Sequence, residues 1–124
     1  MIILDTNFIL TCVKQKIDLF SQIREIFPEE EAVIPDVVIR ELEMLAKRQE
    51  LTFAERNAAD LSLQLIKKEN AKITKSEGKA DNFIVRYALK NKVIVASLDR
   101  GIRARLRDKA EFLTIRQGKR IARL

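Results

Sequence analysis

Every short apolar run in this sequence is separated from the next by at least one stretch of helical periodicity, and that alternation limits the fold more than any other feature. The runs are 1–4, 32–34, 71–74, 92–96 and 111–115. Strands joined through helices cannot form hairpins; they demand parallel crossovers and helices on both faces of one sheet. The expected architecture is therefore an α/β domain in three layers, α/β/α. With 124 residues, 47% of them hydrophobic and 34% charged, the chain is sized for a single such domain over 1–124. Three Gly and two Pro leave no linker to divide it.

Local signals refine the pattern. A short helix is expected over 7–13. Ile17, Leu19, Phe20, Ile23, Ile26 and Phe27 repeat at helical spacing until Pro28. Pro35-Asp36 opens a helix carrying Val37, Val38, Ile39, Leu42, Leu45 and Ala46, and Asp36 reads as its N-cap rather than as a metal ligand. Thr52 and Glu55 have capping-box spacing before a helix that ends near Asn70. Further helices are expected over 80–90 and 99–107, with a basic tail over 116–124 after the last strand.

Chemistry is narrowed first by what is missing. There is no His, which removes Ser-His-Asp, Cys-His and His-dependent ribonuclease mechanisms. Neither GxxxxGK[ST] nor GxGxxG occurs. The lone Cys12 allows no internal disulfide or cysteine zinc site and reads as a core residue. No apolar run is long enough for a bilayer and no signal-peptide pattern opens the chain, so a soluble, cytoplasmic protein without membrane contact is expected.

The acids are placed more tellingly. Asp5 and Asp99 each follow the carboxyl end of an apolar strand, where ligands of parallel sheets bind. Asp81 opens a helix leading into the second of these strands, and Glu41 borders the apolar face of the helix after strand two. Carboxylates gathered in one cleft repel each other unless a cation is present, and hard oxygen donors suit Mg²⁺ or Mn²⁺. Metal-assisted hydrolysis of a phosphodiester is the chemistry such a cluster implies.

Charge is asymmetric as well. The net charge is +6, yet residues 100–124 alone carry nine basic groups against two acids, and residues 1–99 carry fifteen against sixteen. A cationic end favours a polyanionic partner. Arg100, Arg103 and Arg107 are expected on one helix beside the acids, with Lys119 and Arg120 in the tail, as candidate phosphate contacts for such a partner.

At these residues the sequence resembles the PIN-domain nucleases. Ile3-Leu4-Asp5-Thr6-Asn7 looks like the family's strand ending in an Asp-Thr-Asn type motif, and Val38-Ile39-Arg40-Glu41-Leu42 like its Glu-Leu helix. Ala80-Asp81-Asn82-Phe83-Ile84 and Val95-Ala96-Ser97-Leu98-Asp99-Arg100 resemble its third and fourth acidic motifs. The resemblance implies Asp5, Glu41, Asp81 and Asp99 as catalytic and metal-binding acids, with Ser97 supporting them by hydrogen bonding and Asn7 orienting Asp5. It also implies a parallel sheet in order 3-2-1-4-5 and, as in many PIN domains, a homodimer.

A narrower likeness is to PIN endonucleases that process small-subunit ribosomal RNA. It is carried by Asp5-Thr6-Asn7-Phe8-Ile9, Glu41-Leu42-Glu43, and Asp99-Arg100 followed by Arg103, Arg105, Leu106 and Arg107. The basic stretch over 116–124 adds to it. This implies a metal-dependent endoribonuclease acting on single-stranded or precursor ribosomal RNA, with the pre-ribosome as partner. Two alternatives stay open: a toxin ribonuclease held by an antitoxin, and a catalytically silent RNA-binding assembly protein.

Overall fold

The computed structural model describes residues 1–124. Its strands are β1 (Ile2–Leu4), β2 (Ala32–Pro35), β3 (Lys72–Thr74), β4 (Ile94–Ala96), β5 (Glu111–Arg116) and β6 (Arg120–Arg123). They form one sheet in the order β3-β2-β1-β4-β5-β6. The first five are mutually parallel, and β6 pairs antiparallel with β5. Six helices connect them: α1 (Thr6–Lys14), α2 (Leu19–Ile26), α3 (Asp36–Lys47), α4 (Phe53–Glu69), α5 (Ala80–Lys90) and α6 (Arg100–Leu106).

Strand pleating explains the layers. Side chains alternate across a strand, so Ile2 and Leu4 face one way and Ile3 the other. Ile2 and Leu4 join the larger core with Phe8, Ile9, Phe20, Ile23, Val38 and Leu42 from α1, α2 and α3. Ile3 joins the smaller core, where Val33 and Val95 meet Ile84 and Val85 of α5 and Ile102 and Leu106 of α6. Cys12 lies in the larger core, and burial pushes its thiol up to about 12, so it is an inert packing residue. No helix is long and apolar enough to cross a membrane.

Three expectations change. Residues 116–124 are not a free tail: Gln117 and Gly118 both have positive φ, 56° and 60°, in the tight turn over 117–119 that folds β6 back onto β5. Ile121 is buried, its amide donates to Gln22 at 2.7 Å, and Arg123 lies 4.4 Å over the Phe27 ring. The order 3-2-1-4-5 is thus present and extended by a sixth strand. Secondly, the last helix stops at Leu106, because Arg107 turns to φ 28°, which removes it from the helical face of Arg103. Thirdly, Asp36 does not cap α3. Pro35 stands at the cap without a side-chain bond, and the Val37 amide donates instead to the Ser76 hydroxyl at 3.1 Å. The capping box of α4 is present, with Thr52 and Glu55 exchanging both bonds.

Candidate active site

The order in which strands are added reverses in this sheet between β1 and β4, which remain parallel. From β1 the chain builds outward through β2 and β3, then returns to the other side of β1 with β4. The carboxyl ends of β1 and β4 therefore diverge into connections on opposite sides, leaving a crevice at the switch point. Parallel register sets Leu4 beside Ala96, and the Asp5 amide donates to the Ala96 carbonyl at 3.0 Å. Asp5 and Ser97 are consequently neighbours at the mouth of that crevice.

Asp5 ends β1 and caps α1, with its Oδ1 accepting from the Thr6 amide at 2.8 Å. Its Oδ2 accepts from the Ser97 hydroxyl at 2.8 Å, and the same hydroxyl accepts from the Asp99 amide at 3.1 Å. Ser97 is wholly buried and so ties the end of β1 to the turn after β4. Asp99 caps α6 through one oxygen, Oδ1, which accepts from the Gly101 and Ile102 amides. Asp81 similarly uses Oδ1 on the Asn82 amide. Glu41, about a turn and a half into α3, accepts from the Thr6 hydroxyl at 2.6 Å through Oε2.

All four acids line one cavity of about 250 Å³, together with Thr6, Asn7, Lys79 and Ala80. Asn7 is exposed at the rim and is not among the partners that orient Asp5. Burial pushes the Asp5 carboxyl above its ordinary value of 3.8; the bonds from Ser97 and Thr6 pull it back, and the charges of Glu41 and Asp99 push it up again. Lys79 is the single cation among the lining residues.

As the side chains stand, no three acids are close enough together to enclose an ion. The donor set nevertheless fits a hard divalent cation. One oxygen each of Glu41, Asp81 and Asp99 is fixed by the protein, and the other oxygen of each has no protein partner. The Asp5 carboxyl, raised by burial and further by the charges of Glu41 and Asp99, would be relieved by a cation.

The basic residues are distributed differently from the acids. Arg100 is exposed at the start of α6, next to Asp99. Arg103 turns inward, its guanidinium donating to the Ser97 carbonyl at 3.1 Å and to the Thr114 hydroxyl at 3.3 Å, so it braces the turn that holds Asp99. Arg107 is exposed beyond the helix end, and Lys119 and Arg120 are exposed on the β5–β6 hairpin. None of these five lines the acid cavity. Two residues of the site had no separate role in the sequence reading. Thr6 is marked only as part of the Asp-Thr-Asn motif and as turn or cap chemistry after the first strand, and Lys79 sits in a polar loop with no pattern to mark it.

Similarity to known proteins follows the same features. The chain is 34% identical over 122 residues to ribonuclease VapC4 of Methanocaldococcus jannaschii, covering 95% of this chain and 92% of the relative. It superimposes on the solved PIN domain endonuclease Utp24 with a TM-score of 0.78 and 30% identity, covering 99% of this chain and 91% of that one. The model of the PIN-like domain family matches residues 2–118, which takes in all four acids, Ser97 and the whole parallel sheet. The chain belongs to the PIN-like domain family.

Proposed function

We propose that this protein is an endoribonuclease that hydrolyses RNA phosphodiester bonds with Mg²⁺ or Mn²⁺ held by Asp5, Glu41, Asp81 and Asp99. The observation that carries the reading is the convergence of four carboxylates, from four separate elements, on one cavity at the sheet's switch point. A relative named as a ribonuclease supports RNA as the substrate class, and a structural neighbour named as an endonuclease supports internal cleavage. When bound, the ion would polarise a phosphate oxygen and lower the pKa of water. The chain's own groups do the rest. Ser97 and Thr6 hold Asp5 and Glu41 in fixed orientations, Arg103 steadies the turn bearing Asp99, and Lys79 offers the incoming phosphate a positive charge.

The cellular substrate we favour is precursor ribosomal RNA on the pre-ribosome. The arginine-rich end supports this, with Arg100, Arg107, Lys119 and Arg120 exposed for phosphate contact. The likeness to ribonuclease VapC4 favours a second reading, in which the same activity belongs to a toxin restrained by a small antitoxin. Co-purification from the native cell discriminates them: the first gives precursor ribosomal particles, the second a small acidic protein.

The test of the activity is direct. Purified protein cleaves single-stranded RNA with Mn²⁺ or Mg²⁺ and not in chelator, and Asp5→Asn and Asp99→Asn abolish cleavage. Ser97→Ala lowers the rate by about 10–100-fold, as loss of a group that orients a metal ligand does. Cleavage retained in both Asp variants, or undiminished in chelator, removes the assignment.

A further inference from the structure

A second cleft lies beside the acid cavity and is opposite to it in charge. Phe83, Arg86, Tyr87 and Lys90 occupy positions i, i+3, i+4 and i+7 of α5 and therefore share one face. Between that face and the segment after β3 is a cavity of about 380 Å³, closed on the far side by residues including Lys75 and Glu77. It presents three exposed cations and a single acid. The Arg86 guanidinium donates to the Glu77 carbonyl at 3.0 Å, which holds it across the cleft. The half-buried rings of Phe83 and Tyr87 lie 5.6 Å apart at 36°, with their backs on the smaller core.

Exposed cations around a partly open aromatic pair are what a single-stranded polynucleotide needs: positive charge for its phosphates and a surface on which a base can stack. Position strengthens the case. One short stretch of chain walls both cavities, with Lys75 and Glu77 on the basic cleft and Lys79 and Asp81 on the acid cavity. A polyanion approaching four carboxylates is repelled, and the adjacent cleft supplies the compensating attraction. We propose that this cleft binds nucleotides flanking the scissile bond of a single-stranded RNA. Phe83 and Tyr87 stack a base there, and Lys75, Arg86 and Lys90 hold its phosphates. The choice of RNA rests on the ribonuclease reading, which the proposal deepens.

Tyr87 is the only tyrosine of the chain, so protein labelled with 3-fluorotyrosine gives one fluorine resonance, and it reports on this cleft. Titrating oligouridylate into the labelled protein in chelator shifts that resonance, saturating with the affinity measured by fluorescence anisotropy. Lys75→Glu/Lys90→Glu weakens binding about tenfold or more. It also flattens the plot of log affinity against log salt by about 1.4, since two lost contacts contribute ~0.7 each for single strands. A matched reversal on α4, Lys67→Glu/Lys68→Glu, changes net charge equally and leaves the resonance shift intact. An unmoved resonance at saturating RNA, or equal losses in both double variants, overturns the proposal. The ribonuclease reading fails separately. RNA bound in the cleft but uncut in Mn²⁺ removes that reading and keeps the cleft, whereas cutting with a silent Tyr87 and an unchanged salt slope removes only the cleft.

Discussion

Asp5 is a carboxyl in a place that disfavours charge, and the proposed metal-binding role gives a reason for it to stand there. Its carboxylate is buried at the end of β1, with Glu41 and Asp99 near enough to raise its pKa further. A carboxyl whose folded pKa lies above its unfolded value is destabilising when ionised. That penalty is absent below pH 3.8 and grows as pH rises from there through the raised folded value. Asp5→Asn keeps an oxygen for the Thr6 amide and a polar partner for Ser97 while removing the charge. In chelator at pH 7 the variant should melt above the wild type, with the gap closing as the pH falls towards 3.8. Added Mn²⁺ should raise the melting temperature of the wild type alone. Thermal melts across pH check this, and a variant less stable than the wild type at pH 7 contradicts it. The position of Asp5 was legible because an apolar strand ends on it. The partnership of Thr6 with Glu41 was not, since the two are 35 residues apart and nothing local ties a hydroxyl in α1 to an acid in α3.

At the scale of elements, the same distinction separates α4 from α3. The start of α4 is visible in the sequence because Thr52 and Glu55, which exchange the capping bonds, are three residues apart. The start of α3 depends on Ser76, forty residues away, whose hydroxyl accepts from the Val37 amide and donates to the Asp36 carboxylate. The Ser76 bond holds the Asp36 carboxyl below 3.8; partial burial opposes this, and Arg40 adds to it. This cross-link steadies the first turn of the helix that carries Glu41. Its stabilising contribution is present above pH 3.8 and is lost as pH falls through the lower folded value of Asp36. Ser76→Ala should therefore lower the melting temperature at pH 7, and the difference from wild type should shrink in acid. A pH-independent difference would mean that Ser76 acts by packing alone. Asp36 looked like a cap because it follows Pro35 at a helix start, but its carboxylate is engaged by a segment that local spacing cannot reveal.

For the whole molecule, the alternation of apolar runs and helices was enough to specify a parallel three-layer sheet. It placed Asp5 and Asp99 on one edge before any side chain was located. What it missed was the sixth strand, because the density of Arg and Lys over 116–124 outweighed two weaker signs. Gly118 offers a tight turn, and Ile121 is an apolar position in an otherwise basic stretch. The consequence is physical: the basic end is part of the sheet, and its charges cannot be deleted without its core. A chain ending at Ile115 loses the β5–β6 ladder, the Phe27–Arg123 contact and buried Ile121, whose side chain alone is worth ~2–5 kcal/mol at such sites. Its melting temperature should drop sharply, and any loss of RNA binding in it reports unfolding. Lys119→Glu/Arg120→Glu alters only exposed side chains, with an expected stability change within about 0.5 kcal/mol. If the hairpin contacts RNA, that double variant binds more weakly with a flatter salt dependence while melting like the wild type. A truncated chain as stable as the full one would restore the tail to a detachable arm, and an unchanged salt slope in the double variant would leave the hairpin a purely structural close to the sheet.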